Sequence, residues 1–363
     1  MANIGLPNIS IVFKGIGASA VQRGSRGIAL LIVKEDVESS TEFAEYTSID
    51  DLTTEESAKY TATNVQYIKD VLKGTPSKVI VAKMLSFGVL ADILPKIKGK
   101  KFDWIGIAEG TTAEQTELAS WIKSTNSSDN KTYKAVTYKA TTTDDKQIVN
   151  FTNTDVTFKD SRGKVTGDKF VARLIGFLAG LPLTMSAIAK TFDDVESVTE
   201  PADLETAINN GEFVLFNDDG QTRVARGINS LKTTGEGVTD DMKYILVVEV
   251  MNLIYNDIYN TWKQFYKGKY KNNLDNQFLL IDSINSYFEA LENDNLLDDE
   301  FDNKCFIDIE AQRLANIPKY GQDVVDSWDA DKIMQMTFGT NVYLSGSVKI
   351  LNAMEDFSMK INM

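Results

Sequence analysis

The sequence predicts an α/β domain on a largely parallel sheet, then an α+β region, with a strand-like arm at each end. Three observations carry this. Between residues 28 and 138, short apolar strands alternate with amphipathic helices. Beyond residue 238, two long helical patterns follow one another. The first and last residues alternate apolar with polar.

In chain order, NISIVFK places Ile9, Ile11 and Phe13 against Ser10, Val12 and Lys14, with Pro7 before and Gly15, Gly17, Gly24 and Gly27 after. A short apolar strand at a terminus needs a sheet edge, its own or a neighbour's. IALLIVK (28–34) reads as a buried strand. TNVQYIKDVLKG (63–74) reads as a helix with Val65, Ile68, Val71 and Leu72 on one face, stopped by Gly74. SKVIVAKM and KFDWIGIAE read as strands, AEQTELASWIKS as a helix and YKAVTY as a strand. A helix is expected over 168–189 and a short one over 202–213, ending at Gly211. VLFNDDGQTRVA reads as a hairpin with its turn at Asn217–Gly220. A long helix is expected from Thr239 or Asp240 to about Gly268, and a second over 277–293 with Ile281, Ile284, Phe288 and Leu291 at helical spacing. In the tail, Phe357, Met359, Ile361 and Met363 alternate with polar residues.

Composition narrows function. With 363 residues, core volume is not limiting, and a net charge of −14 argues against general nucleic-acid binding. One cysteine, Cys305, excludes an intrachain disulfide. The first residues lack the pattern of a signal peptide, so cytosolic synthesis is expected. The most apolar run, 170–189, contains Arg173 and Pro182 and reads as a buried helix rather than a membrane span. The chain has no histidine, which removes Ser-His-Asp and Cys-His nucleophile pairs and the commonest transition-metal ligand.

Local motifs are weak. GIGASA (15–20) mimics a dinucleotide fingerprint, but VQRGSRG follows where a helix is needed. TMSA (184–187) places Ser186 like a nucleophile, with no histidine to serve as base and a helical apolar run around it. LDDEFDN (297–303) resembles a calcium loop, yet Asn303 replaces the turn glycine and Ile309 the final acid. No catalytic, cofactor or metal site is therefore assigned. Lys263, Lys267, Lys269 and Lys271 form a basic run in an acidic chain, either a solvated helix end or a docking patch for an acidic protein. QTRVARGINSL offers Arg223 and Arg226 to an anion, or forms a strand edge leading to a second domain.

Taken in order, RGINSL, TTGEG, KYILVVEVMNLIYNDI, YKGKYKNNLDNQ and LIDSINSYFEALENDNLL resemble the C-terminal part of contractile tail sheath proteins of myophages and of phage-tail-like bacteriocins from Gram-positive bacteria. GLPNISIVFK and NVYLSGSVKILNAMEDFSMKINM resemble that family's two arms. GDKFVARLIGFLAGLPLTMSAIAKTFDDV resembles the end of a domain labelled subtilisin-like, a fold label without proteolysis. The resemblance implies an N-terminal arm over 1–22, an α/β domain over 23–235, a C-terminal α+β assembly domain over 236–342 and a C-terminal arm over 343–363. It implies a structural subunit and no enzyme, polymerised with itself as stacked hexameric rings around a tail tube, with baseplate and terminator proteins at the ends. No nucleic acid, membrane insertion or cofactor is expected. Ile9, Ile11 and Phe13, with Phe357, Met359 and Ile361, would enter neighbouring subunits. RGINSL, with Arg223, Arg226 and Asn229, would be the last strand of the α/β domain and its joint to the next, and the four lysines the candidate tube contact. An α/β enzyme or a cytosolic binding module is the competing reading.

Overall fold

The computed structural model describes residues 20–24 and 26–363, in two compact units. Of these described residues, one unit comprises those from 24 to 256 with 350–363, and the other comprises 20–23 with 257–349. The expected sites at Ile9, Ile11 and Phe13, and the glycines of GIGASA, lie outside the described residues.

The first unit is built on seven strands: β1 (Ile28–Lys34), β2 (Phe43–Tyr46), β3 (Lys78–Met84), β4 (Trp104–Ile107), β5 (Lys134–Tyr138), β6 (Ile148–Phe151) and, later in the chain, β10 (Glu212–Phe213). Their spatial order is β10-β6-β5-β4-β1-β3-β2, parallel except for β2. β1 is apolar without alternation because both sheet faces are covered. Ala29, Leu31 and Val33 join one core with Ile68, Val71, Leu174 and Ile175. Leu30 and Ile32 join the other with Ile93, Leu118 and Ile122. These residues identify the covering helices. After the single turn α1 (Thr54–Ser57), α2 (Ala62–Leu72) lies on the first face, and α3 (Leu90–Ile97) and α4 (Thr112–Asp129) lie on the second. α5 (Val171–Gly180) completes the first face.

Helices α2 and α5 meet at glycines. A Cβ on Gly176 would lie 2.0 Å from the Val71 carbonyl oxygen, and one on Gly180 would lie 1.8 Å from that of Gly74. Both obstacles are backbone, so the helices would have to separate. Gly176→Ala is expected to lower stability by about 2 kcal/mol or more, read as an earlier urea midpoint at unchanged slope. An unchanged midpoint would show that the two helices have slack.

The rest of this unit is antiparallel: β7 (Asp155–Phe158) between β8 (Lys164–Thr166) and β9 (Val195–Val198), and the hairpin of β11 (Leu215–Asp218) with β12 (Gln221–Val224). The hairpin turn matches its sequence expectation. Asp219 and Gly220 take φ +47 and +75, the left-handed pair that a tight two-residue turn requires. The short helix α6 (Leu204–Asn209) is capped by Asp203 and followed by Gly211 at φ +72.

Four expectations are corrected. The helix over 168–189 is a 3₁₀ turn, Gly167–Phe170, then α5, which ends at Gly180. Leu181 is extended, as the residue before Pro182 prefers to be, so Ser186 sits beyond the helix. The RGINSL segment forms only one bridge, Ile228 to Tyr244, and no strand. There successive backbone N–H groups go to different segments, Asn229 to the Lys243 carbonyl and Ser230 to the Ile148 carbonyl, so no ladder extends along either. The long helix α7 runs Ile245–Thr261 and does not begin at Thr239 or Asp240. Asp240–Lys243 is a separate 3₁₀ turn and Tyr244 is extended, while Trp262–Tyr266 forms a π-helical turn ahead of Gly268 at φ +76. Finally, 351–363 is not assigned to a strand.

In the second unit, α8 (Leu274–Asn293) buries Ile281, Ile284, Phe288 and Leu291, as their spacing predicts. A two-stranded antiparallel sheet pairs β13 (Lys304–Ile307) with β14 (Leu344–Ser347), and between them run α9 (Ile309–Tyr320), α10 (Gln322–Asp326) and α11 (Ala330–Gln335). The buried Gln312 side chain donates to the Ile333 and Met334 carbonyls, fastening α11 to α9. Cys305 is buried in β13, and burial pushes its thiol up to about 11, which leaves it unreactive. Among the described residues, no helix is long and apolar enough to cross a membrane.

Candidate assembly interface

The structure does not gather Arg223, Arg226 and Asn229 into one cradle. Arg223 lies on the β11–β12 hairpin, 3.1 Å from Asp218 and hydrogen-bonded to Gln221. Asn229 is buried, its Nδ2 donating to the Met242 carbonyl at 2.7 Å and its backbone N–H to the Lys243 carbonyl. It fastens this segment to the residues just ahead of α7. Arg226 faces the tail, pairing with Glu355 at 3.1 Å and with Asp356 at 2.7 Å. Both arginines therefore bind carboxylates of their own chain.

Beyond Asp356 the tail loses contact. Phe357 is 87% exposed, Met359 64%, Ile361 71% and Met363 120%. Four apolar side chains at every second position, all facing water, form the kind of segment that a sheet edge covers.

The second unit presents such an edge. Asp308 N–H donates to the Tyr343 carbonyl, so Lys304 and Phe306 are the residues of β13 that hydrogen-bond with β14. Cys305 then points its N–H and C=O away from β14, and Asn285 of α8 meets both, at 2.7 and 3.3 Å. The outer edge of β13 is thus capped. By the same alternation Leu344 and Gly346 point outward from β14, where no strand pairs among the described residues. Sequence reasoning missed this sheet, because KCFI and LSGS are short and 36 residues separate them.

Lys263, Lys267, Lys269 and Lys271 are all exposed, and among the described residues none pairs with a carboxylate. Lys263 lies in the π-helical turn and the others follow it. Buried Tyr266 stacks on Tyr270 with ring centroids 5.2 Å apart, which holds the turn beneath the lysines. The acidic loop is internally paired: Asp298 meets Lys349 at 2.6 Å, and Asp302 meets Lys304.

Comparison with known proteins gives this geometry a context. Residues 238–363 match the phage tail sheath C-terminal domain. A tail sheath protein of Clostridium phage phiCD119 is 29% identical over 369 aligned positions, covering 99% of each chain. Residues 238–363 are thus similar to a sheath C-terminal domain, and the chain over its whole length to a tail sheath protein. Solved sheath structures share the fold. The sheath tail protein from Desulfitobacterium hafniense superposes with a TM-score of 0.70 at 15% identity, over 83% of this chain and 94% of that one. The helical sheath of the anti-feeding prophage in its contracted state gives 0.69 at 12% identity, over 99% of each chain. The mixed α/β architecture described above is therefore the fold of solved sheath proteins.

Proposed function

We propose that this chain is a structural subunit of a contractile tail sheath, which polymerises as stacked hexameric rings around a tail tube and shortens to drive that tube through a target envelope. The observation that carries this reading is the tail at 357–363, whose alternate apolar side chains are exposed. Such a segment gains main-chain hydrogen bonds and cover by adding to a sheet of another copy. The outer edge of β14 is its acceptor, since Asn285 closes the edge of β13. A contact between different surfaces of identical chains gives a ring where the rotation closes and a helical polymer where it does not, so such contacts can build both the rings and their helical stack. The arm at Ile9, Ile11 and Phe13 acts in the same way on a second neighbour.

In functional terms, 1–22 and 343–363 are the arms, the second beginning at β14, which stays on its own subunit as the acceptor edge while 357–363 is the part donated; 23–235 is the α/β domain carrying the subtilisin-like label without its chemistry, and 236–342 the assembly domain. The part is mechanical and not enzymatic. Contraction needs no nucleotide if the extended polymer is kinetically trapped above a contracted one of lower free energy. Baseplate and terminator proteins start and stop the polymer, in a particle assembled within the bacterial cytoplasm.

Electron microscopy of the purified chain tests the reading. Hollow tubes, alone or with tube protein present, support it. Discrete small particles under both conditions refute it and favour an α/β enzyme or binding module. The lysine run is proposed as the tube contact. Lys263→Glu combined with Lys267→Glu is expected to leave polymerisation intact and abolish decoration of tubes, seen by co-sedimentation. Undiminished decoration removes this patch from the interface.

A further inference from the structure

The tail changes character at one residue. Leu351, Ala353 and Glu355 are partly buried, whereas Asn352, Met354 and Asp356 are exposed. The same period of two continues through Phe357, Met359 and Ile361, but there every residue faces water. The last inward position therefore carries a carboxylate in an otherwise apolar series. Its side chain is only 4% exposed.

A carboxylate so buried must be met by partners, or it leaves. Ser186 Oγ donates to Glu355 Oε1 at 2.8 Å. Glu355 Oε2 lies 3.1 Å from Arg226 Nε, an ion pair without hydrogen-bond alignment. The same guanidinium reaches on to Asp356, 2.7 Å from Nη2 and 3.3 Å from Nη1, and sits 6.0 Å from the centre of the Tyr244 ring. Arg226 holds the Asp356 carboxyl below the usual carboxylate range. Gly227 makes the room: a Cβ there would lie 2.8 Å from Ser186 Oγ. Each partner belongs to the same compact unit as the tail.

We propose that Arg226, Ser186 and Glu355 form an anchor that ends the intrasubunit part of the tail at residue 356 and fixes where 357–363 departs toward a neighbouring copy. The anchor rests on the arm reading given above. Arg226 is a positioning residue, since it acts on the tail root and not on the segment that pairs. One guanidinium grips two successive carboxylates, so the root is held against rotation as well as withdrawal. The departing segment then starts from one place in every subunit, which a regular lattice requires.

The test uses the full chain with Arg226→Ala, Arg226→Lys and Glu355→Gln, beside a chain ending at residue 356. Limited proteolysis with a non-specific protease reads the root and electron microscopy reads the polymer. Arg226→Ala is expected to speed cleavage within 351–356 by about tenfold or more, with the melting temperature of the unit unchanged, and to give irregular polymer or none. Arg226→Lys keeps the charge but not the two-carboxylate grip, and is expected to recover part of both readouts. Glu355→Gln alters only the tail and reports on the anchor even if Arg226→Ala disturbs the unit. Regular tubes from both Arg226→Ala and Glu355→Gln overturn the proposal, whatever the cleavage rates. Regular tubes from the chain ending at 356 would instead overturn the arm reading, while cleavage within 351–356 still decides whether the root is anchored.

Discussion

A chain ending at Asp356 is expected to fold with an unchanged melting temperature and to form no tubes. The two halves of this result have separate causes. Phe357, Met359, Ile361 and Met363 are exposed, so their removal uncovers nothing in the subunit. In the polymer the same segment is expected to carry much of the contact. The two outward residues of β14, Leu344 and Gly346, offer about four main-chain hydrogen bonds, each net about 1 kcal/mol. Burying four apolar side chains adds about 1.5 kcal/mol or more apiece. Even after the cost of ordering the strand is subtracted, the loss per contact exceeds what a marginal interface can absorb. Sedimentation should show monomer where the full chain gives large polymer. Tubes of normal diameter from the shortened chain would mean that other surfaces hold the sheath together.

The same residues show why part of this structure is legible in the sequence. IALLIVK, SKVIVAKM and the 277–293 helix are apolar at fixed periods over several residues, and tertiary contacts agree with local preference. Asp219-Gly220 is legible because few residue pairs accept two left-handed positions. RGINSL reads as a strand but is not one, because Asn229 and Ser230 donate their backbone N–H groups to two different distant segments, at Lys243 and Ile148. The 168–189 helix is over-read because apolar character continues past Leu181, although Pro182 already forbids the helix there. The tail is half legible. Its period of two is plain, but the change from covered to open at Glu355 depends on Ser186 and Arg226, which are 169 and more than a hundred residues away. Ser186, set aside as a nucleophile in the sequence for want of a histidine base, donates its hydroxyl to the Glu355 carboxylate.

Glu249→Ala is expected to destabilise the α/β unit more than any other single side-chain truncation discussed, by about 3–5 kcal/mol. The sequence gives a hint, since Glu249 interrupts the apolar run ILVVEVM at the start of α7. In the folded chain its Oε1 accepts the Trp104 indole N–H at 2.7 Å. Its Oε2 lies 3.3 Å from both Lys134 Nζ on β5 and Arg26 Nη2. Lys134 is the vulnerable partner, because its side chain is 4% exposed and Glu249 is its paired carboxylate. Arg26 is 29% exposed and can turn toward water. Truncating Glu249 therefore strands an ammonium group inside the unit and leaves the Trp104 N–H without its acceptor. Glu249→Gln should cost less, since the amide oxygen still serves the indole. The deciding comparison is the double variant Glu249→Leu with Lys134→Met, in which both charges are gone and the volume is roughly kept. If the cost arises from an unpaired buried charge, the double variant is more stable in urea than Glu249→Ala. If it is no better, the cost lies in packing around α7, and the ion pair contributes little.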